Sequence, residues 1–244
     1  MLVLTKKEIS SFFSSITGYL VIVVFLIING LFIWVFPGQF NVFDSGYAQL
    51  DSLFILAPWV FLFLIPAVTM RLFSDEKKAG TIELLLTRPV NDFTIILSKY
   101  LAGMAIVFLA ILPTLIYFLT VYLLASPVGN VDSGGIWGSY IGLFFLAAIY
   151  VSIGLFASSI TENQIVSFII ALLICFVFYF GFDALSGLPF FSHFDSVIIQ
   201  LGINEHYRSI SRGVIDFRDV IYFLSVILFF QFITHSVILS RKWK

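Results

Sequence analysis

Side chains able to do chemistry are sparse in this sequence, and their spacing argues against catalysis. The three histidines, His193, His206 and His235, stand apart, so none can pair into the His-Glu-x-x-His arrangement of a zinc protease. No Gly-Lys pair occurs, which rules out a phosphate-cradling loop ending in Gly-Lys-Ser/Thr. Gly-x-Ser-x-Gly is absent, and "GSYIG" at 138–142 has the wrong spacing for a nucleophile elbow. Its Gly138 and Gly142 suit a close helix contact instead, with Ser152, Gly154 and Ser158 extending the seam. The single cysteine, Cys175, reads as a small core hydrophobe. The chain is therefore not expected to be an enzyme, and it is expected to bind no cofactor, metal or nucleic acid of its own.

What chemistry remains is gathered in residues 71–92, "RLFSDEKKAGTIELLLTRPVND", where charge and turn residues surround a short leucine-rich run. Gly80 should end the helix that carries Glu76, Lys77 and Lys78. Thr81 can cap a second helix, with Glu83 in its first turn, Ile82 and Leu84, Leu85 and Leu86 as its body, and Pro89 as its stop. Asn91 or Asp92 then caps a third, with Phe93, Ile96, Leu97, Tyr100 and Leu101 on one stripe, running along the membrane surface into the next apolar stretch. The residues alone leave two readings of the short helix: an apolar knob offered to a partner, or a loop helix folded back on the membrane.

The elements that must position this segment are membrane spans. Of the 244 residues 60% are hydrophobic and 11% charged, and the mean hydropathy is +1.07; soluble domains carry about 25% charged residues. Six stretches approach the ~20 residues needed to cross a bilayer: 17–36, 53–73, 100–125, 136–158, 165–182 and 220–240. The expected fold is all-α, a polytopic membrane protein with six transmembrane helices forming one transmembrane unit over 1–244. Before the first span, Ile9, Phe12, Phe13 and Ile16 recur with helical spacing and define an amphipathic interfacial helix. The 183–219 segment is too polar to span and too apolar for a free loop, so one or two short helices are expected there, at the outer surface. With both termini inside, ten Lys and Arg fall on the inner side against three outside, Arg208, Arg212 and Arg218.

No span has a charged residue near its middle, which disfavours an ion-coupled carrier. Asn29 and Gln231 read as interhelical hydrogen-bond partners rather than substrate ligands, and Pro66 and Pro113 as kinks. Any energy source must lie on another subunit.

"EKKAGTIELLLTRPV" resembles the cytoplasmic loop of type 2 ABC exporter permeases, which commonly reads Glu-x-x-x-Gly-Thr-x-Glu-x-Leu-Leu-x-x-x-Pro. The matching positions are Glu76, Gly80, Thr81, Glu83, Leu85, Leu86 and, with a small spacing difference, Pro89. The start, "KEISSFFSSITGYLVIVVFLIINGLF", and "SISRGVIDFRDVIYFLS" are similar to the gliding-motility-associated branch, although Ser15-Ile16 stands where relatives often have Ser-Pro. The resemblance implies six spans, an interfacial N-terminal helix, short half-helices before the last span, and a coupling helix that seats in an ABC ATP-binding subunit. It implies ATP on that partner, a second permease subunit, identical or related, and a place in the inner membrane. Glu76, Gly80, Thr81, Glu83, Leu84, Leu85, Leu86 and Pro89 would form the contact. A scaffold for a motility or secretion machine and an ATP-independent carrier are the competing expectations.

Overall fold

The computed structural model describes residues 1–83, 91–187 and 195–241, with the side chains of Thr17 and Arg241 left aside. The described residues hold helices and no strand. The helices are α1 (Leu2–Phe13), α2 (Ile16–Gly30, continued by a π-helical turn at Leu31–Val35), α3 (Val42–Ser45), α4 (Asp51–Thr69) and α5 (Arg71–Lys78). They continue as α6 (Asp92–Ile111), α7 (Leu115–Leu124), α8 (Ser133–Ile160) and α9 (Gln164–Phe176, with a π-helical turn at Val177–Gly181). The last four are α10 (Phe182–Ser186), α11 (Asp195–Gln200), α12 (Ile203–Ser211) and α13 (Phe217–Arg241).

Six helical runs are long and apolar enough to cross a membrane: Gly18–Val35, Asp51–Lys78, Asp92–Leu124, Ser133–Ile160, Gln164–Ser186 and Phe217–Ser240. They coincide with the six stretches read from the sequence, but two are much longer. At 1.5 Å per residue, the 28-residue run from Asp51 and the 33-residue run from Asp92 reach about 42 and 50 Å, against roughly 30 Å of hydrocarbon. The helix after residue 91 is thus a continuous extension of the third span, capped by the Asn91 side chain, rather than a surface helix that turns into it. Its buried face is Asp92, Ile95, Ile96, Lys99 and Ala102, while Phe93 and Leu101 are exposed. The third run also shows the expected irregularity at Pro113, as a 3-10 turn over Leu112–Thr114. In the second, the only interruption follows Pro66, at Met70.

α8 is the central pillar, touching α4, α5, α6, α9, α12 and α13. Lipid tails are as apolar as leucine, so such a bundle is held by close packing rather than by exclusion of water. The small residues serve that end, but with partners the sequence did not reveal. A Cβ on Gly154 would overlap the Thr69 hydroxyl of α4. Gly138 and Gly142 face the short helix α12: a Cβ on Gly138 would stand 2.6 Å from the Ile210 carbonyl, and one on Gly142 3.3 Å from the Tyr207 ring. Cys175 is fully buried. Asn29 donates to the Phe25 carbonyl of its own helix, and neither amide atom of Gln231 has a partner among the described residues, so neither side chain makes the interhelical bond expected of it.

The amphipathic N-terminal helix is present, but it ends at Phe13; Ile16 already belongs to the first span and is exposed. Short helices α10, α11 and α12 occupy the described part of 183–219, as expected. α12 is docked at the end of the bundle opposite the chain termini. Tyr207 Oη donates to the Phe54 carbonyl at 2.7 Å. That carbonyl needs an outside donor, because the residue one turn on is Pro58, which has no N–H. Burial pushes the Tyr207 phenol well above its ordinary value, so it remains a donor. His206 fastens the other side, with Nδ1 2.7 Å from Asp219 Oδ1 and Nε2 donating to the Gln200 carbonyl at 2.9 Å.

Tyr207→Phe keeps the ring against Gly142 but orphans the Phe54 carbonyl. It should cost about 1–3 kcal/mol, read as a lowered midpoint in thermal unfolding of the detergent-solubilised chain.

Candidate functional site: the charged junction at the end of α5

At the end that carries the termini, α1, α2, α4, α5, α6 and α13 share a second apolar cluster that includes Phe12, Leu72, Phe73, Ile95, Ile96 and Ile238. α5 rises from it and stops at Gly80. The stop is a Schellman turn: Gly80 takes φ +67°, its N–H donates to the Lys77 carbonyl at 3.1 Å, and the Thr81 N–H donates to the Glu76 carbonyl at 2.9 Å. Gly80 is required here because a side chain disfavours that left-handed conformation.

Four polar side chains of α5, Arg71, Asp75, Glu76 and Lys77, each reach a different neighbour, while Lys78 is exposed. Arg71 donates to Ser15 Oγ at 3.1 Å and lies 4.5 Å over the Phe12 ring, which ties α5 to the α1–α2 corner. Asp75 accepts from the Gln164 side chain at the start of α9. Lys77, almost fully buried, donates to the Ser159 carbonyl in the last turn of α8, where helix carbonyls lack internal partners and a cation is favoured. Glu76 Oε1 is 2.9 Å from Lys99 Nζ on α6.

Lys99 is the centre of this junction. Its side chain is only 1% exposed. The ammonium lies 3.3 Å from Glu8 Oε1 of α1, 2.9 Å from Glu76 Oε1 and 2.7 Å from the Leu72 carbonyl, with the Phe73 ring at 5.1 Å. The ammonium donates to Glu8 and to the Leu72 carbonyl and is ion-paired with Glu76, whose Oε2 is buried without a hydrogen-bond partner among the described residues. A cavity of about 200 Å³ opens beside it between α1 and α5, lined by Lys7, Glu8, Arg71, Asp75, Glu76 and Lys99.

Of the residues singled out in the sequence, Glu76, Gly80 and Thr81 come together at the end of α5, and Glu83 follows. Gly80, Thr81 and Glu83 are exposed, whereas Ile82 between them is buried in the apolar cluster and pins the departing chain. Glu76 is held by Lys99 within the chain. Leu84, Leu85, Leu86 and Pro89 lie outside the described residues. The sequence reading missed Glu8, Asp75, Lys77 and Lys99. The one available signal was Lys99, a lone charge inside "FTIILSKYLAGM".

The arrangement contains no cluster suited to a metal among the described residues. What it can do is mechanical: a short exposed turn sits on a stem locked to α1, α2, α6, α8 and α9. A family model described as "ABC-2 family transporter protein" matches residues 3–215. The chain belongs to the ABC-2 transporter family. No curated protein matches it. An ABC-2 permease is the membrane-spanning part of an ABC transporter, and membership implies association with the membrane and with an ATP-binding subunit. The α5 junction of this ABC-2 permease is thus a structural device of a transport subunit.

Lys99→Met should lower stability by about 3–5 kcal/mol, since it strands two carboxylates in a nearly dry site. Adding Glu8→Gln and Glu76→Gln should recover most of that loss, because the uncompensated charges go with the ammonium. Thermal unfolding of the wild-type chain and both variants in one detergent checks both expectations.

Proposed function

We propose that the chain is the permease subunit of an ATP-driven exporter of the inner membrane, with both termini cytoplasmic, working as a dimer with separate ATP-binding subunits. In this reading residues 76–89 are the coupling loop. Glu83 and the exposed turn at Gly80–Thr81 meet the ATP-binding subunit, Leu84, Leu85 and Leu86 fill its cleft, and Pro89 closes the segment. Glu76 has a different part, holding the stem through Lys99.

The observation that carries the proposal is the locking of α5. A loop that only connected two spans would need no anchors. Here four polar side chains, Arg71, Asp75, Glu76 and Lys77, are committed to four other elements, so a push on the turn displaces the α1–α2 corner, α6, and the ends of α8 and α9 together. The match to residues 3–215 supports the same reading. The excess of Lys and Arg at the termini end, ten against three, supports the orientation. The likeness of the N-terminal and 209–225 segments to the gliding-motility-associated branch supports a transporter that serves a motility system, with a second permease subunit that is identical or related.

Affinity purification of the tagged full-length chain from native membranes in mild detergent tests this. An ATP-binding subunit should co-purify, and Glu83→Arg should release it by tenfold or more, as expected when an interfacial charge is reversed. Recovery of the intact chain alone under several gentle conditions would favour an autonomous carrier. Co-purification of partners whose ATP turnover is dispensable for motility would favour a scaffold.

A further inference from the structure

The end of the bundle opposite the termini holds a cavity of about 410 Å³ between the start of α4, the π-helical turn at Val177–Gly181, and α12. Its lining is two-sided. Ile55 and Trp59, one turn apart on α4, and Phe180 form an apolar wall, and all three remain substantially exposed at 53%, 40% and 43%. Trp59 is steadied by an edge-to-face contact with Tyr179, ring centroids 5.6 Å apart. α4 belongs to a run long and apolar enough to cross a membrane, and this exposed wall continues from the mouth of the cavity down that run.

At the mouth stand Arg208, on α12, and Arg212, the residue that caps its end, four positions apart and both exposed. Neither guanidinium has an ion-pair partner among the described residues. Two acids also line the cavity, but the chain already engages them. Asp183 accepts from the Asn204 side chain, and Asp51 sits in the first turn of α4, at the positive end of that helix. Free cationic forks above an apolar, exposed wall match one ligand chemistry: a phosphate-bearing headgroup carried on hydrocarbon chains. The volume suits the headgroup and the first methylenes, with the chains lying along Trp59 and Ile55 outside it.

We propose that this cavity is a binding site for an anionic amphiphile, whose phosphate is taken by Arg208 and Arg212 and whose chains run along the Ile55–Trp59–Phe180 wall. The site rests on the membrane-spanning fold and on α12, not on ATP-driven coupling, so failure of either reading leaves the other standing.

The test uses the full chain with three of its four tryptophans replaced (Trp34→Phe, Trp137→Phe, Trp243→Phe), leaving Trp59 as the emitter. It is reconstituted in phosphatidylcholine vesicles containing a minor fraction of brominated phosphatidylglycerol or brominated phosphatidylcholine. Each arginine near an anionic headgroup contributes about 1 kcal/mol, so with two of them the anionic quencher should be preferred about thirtyfold. Arg208→Gln with Arg212→Gln should bring that preference close to one. Inorganic phosphate added outside should leave it intact. Equal quenching by both lipids, or a preference that survives the double substitution, overturns the proposal. So does removal of the preference by inorganic phosphate, which would make the site one for free phosphate. Absence of quenching by either lipid would mean that protein covers the wall, and it also overturns the proposal. Should the tryptophan variant not fold, native mass spectrometry of the wild-type chain and its Arg208→Gln, Arg212→Gln form counts bound phosphatidylglycerol against phosphatidylcholine with the same expected outcomes.

Discussion

A buried ammonium is tolerable only when its charge is compensated, and Lys99 meets that condition with groups drawn from different helices. An isolated ion in so dry a place would cost far more than a domain's whole stability. Glu8 comes from α1, Glu76 and the Leu72 carbonyl from α5, and the lysine itself from α6. None of these helices can shift by an ångström or two without leaving a donor or a carboxylate unmatched, which makes the positions of the N-terminal helix and of the α5 stem mutually dependent. Arg71, Lys77 and Asp75 extend that dependence to the α1–α2 corner, α8 and α9. The geometry of the exposed turn at Gly80 follows from it, because a turn is only as well placed as the helix that ends there.

The opposite end of the bundle solves a related problem without charge. Pro58 deprives the Phe54 carbonyl of its helical donor, and Tyr207 replaces it from α12. The ring can reach that far because Gly142 leaves room for it on α8. A proline, a glycine and a tyrosine on three elements thus form one contact, which fixes α12 over the bundle and sets the arginines of that helix over the aromatic wall of α4.

Most of the architecture was legible from composition and apolar run length, since a bilayer dictates both the length of a span and its greasiness. The six spans, the amphipathic N-terminal helix and the short helices before the last span can all be read that way. The end of α5 was legible too, because Gly80 has a strong local preference. The burial of Lys77, Lys99 and Asp92 was not. Hydropathy assigns a charged residue to the solvated face, and so the apolar stripe of α6 was read as Phe93, Ile96, Leu97, Tyr100 and Leu101, which shares Ile96 with the buried face but leaves out Ile95 and Lys99. A charge turns inward when partners from distant parts of the chain converge on it, and such convergence has no signature in one sequence. The same reason hid the partners of Gly138 and Gly142: the small residues announce a close approach, but not that a short helix rather than a span makes it.

The two ends communicate through one run of helix. Asp51–Lys78 carries Phe54 and Trp59 at one end and Glu76 at the other, with its sole interruption at Met70. Just before that interruption Thr69 spends its hydroxyl on the Ile65 carbonyl at 2.9 Å and presses against Gly154 of the central pillar. The contact leaves no space for sliding between α4 and α8 at this level, so a load applied to α5 cannot be absorbed by translation along α8. Leu72 and Phe73 pack with Ile95 and Ile96, and Glu76 and Lys77 bind α6 and α8, so α5 moves only together with those helices, and the Thr69–Gly154 contact ties that group to α4.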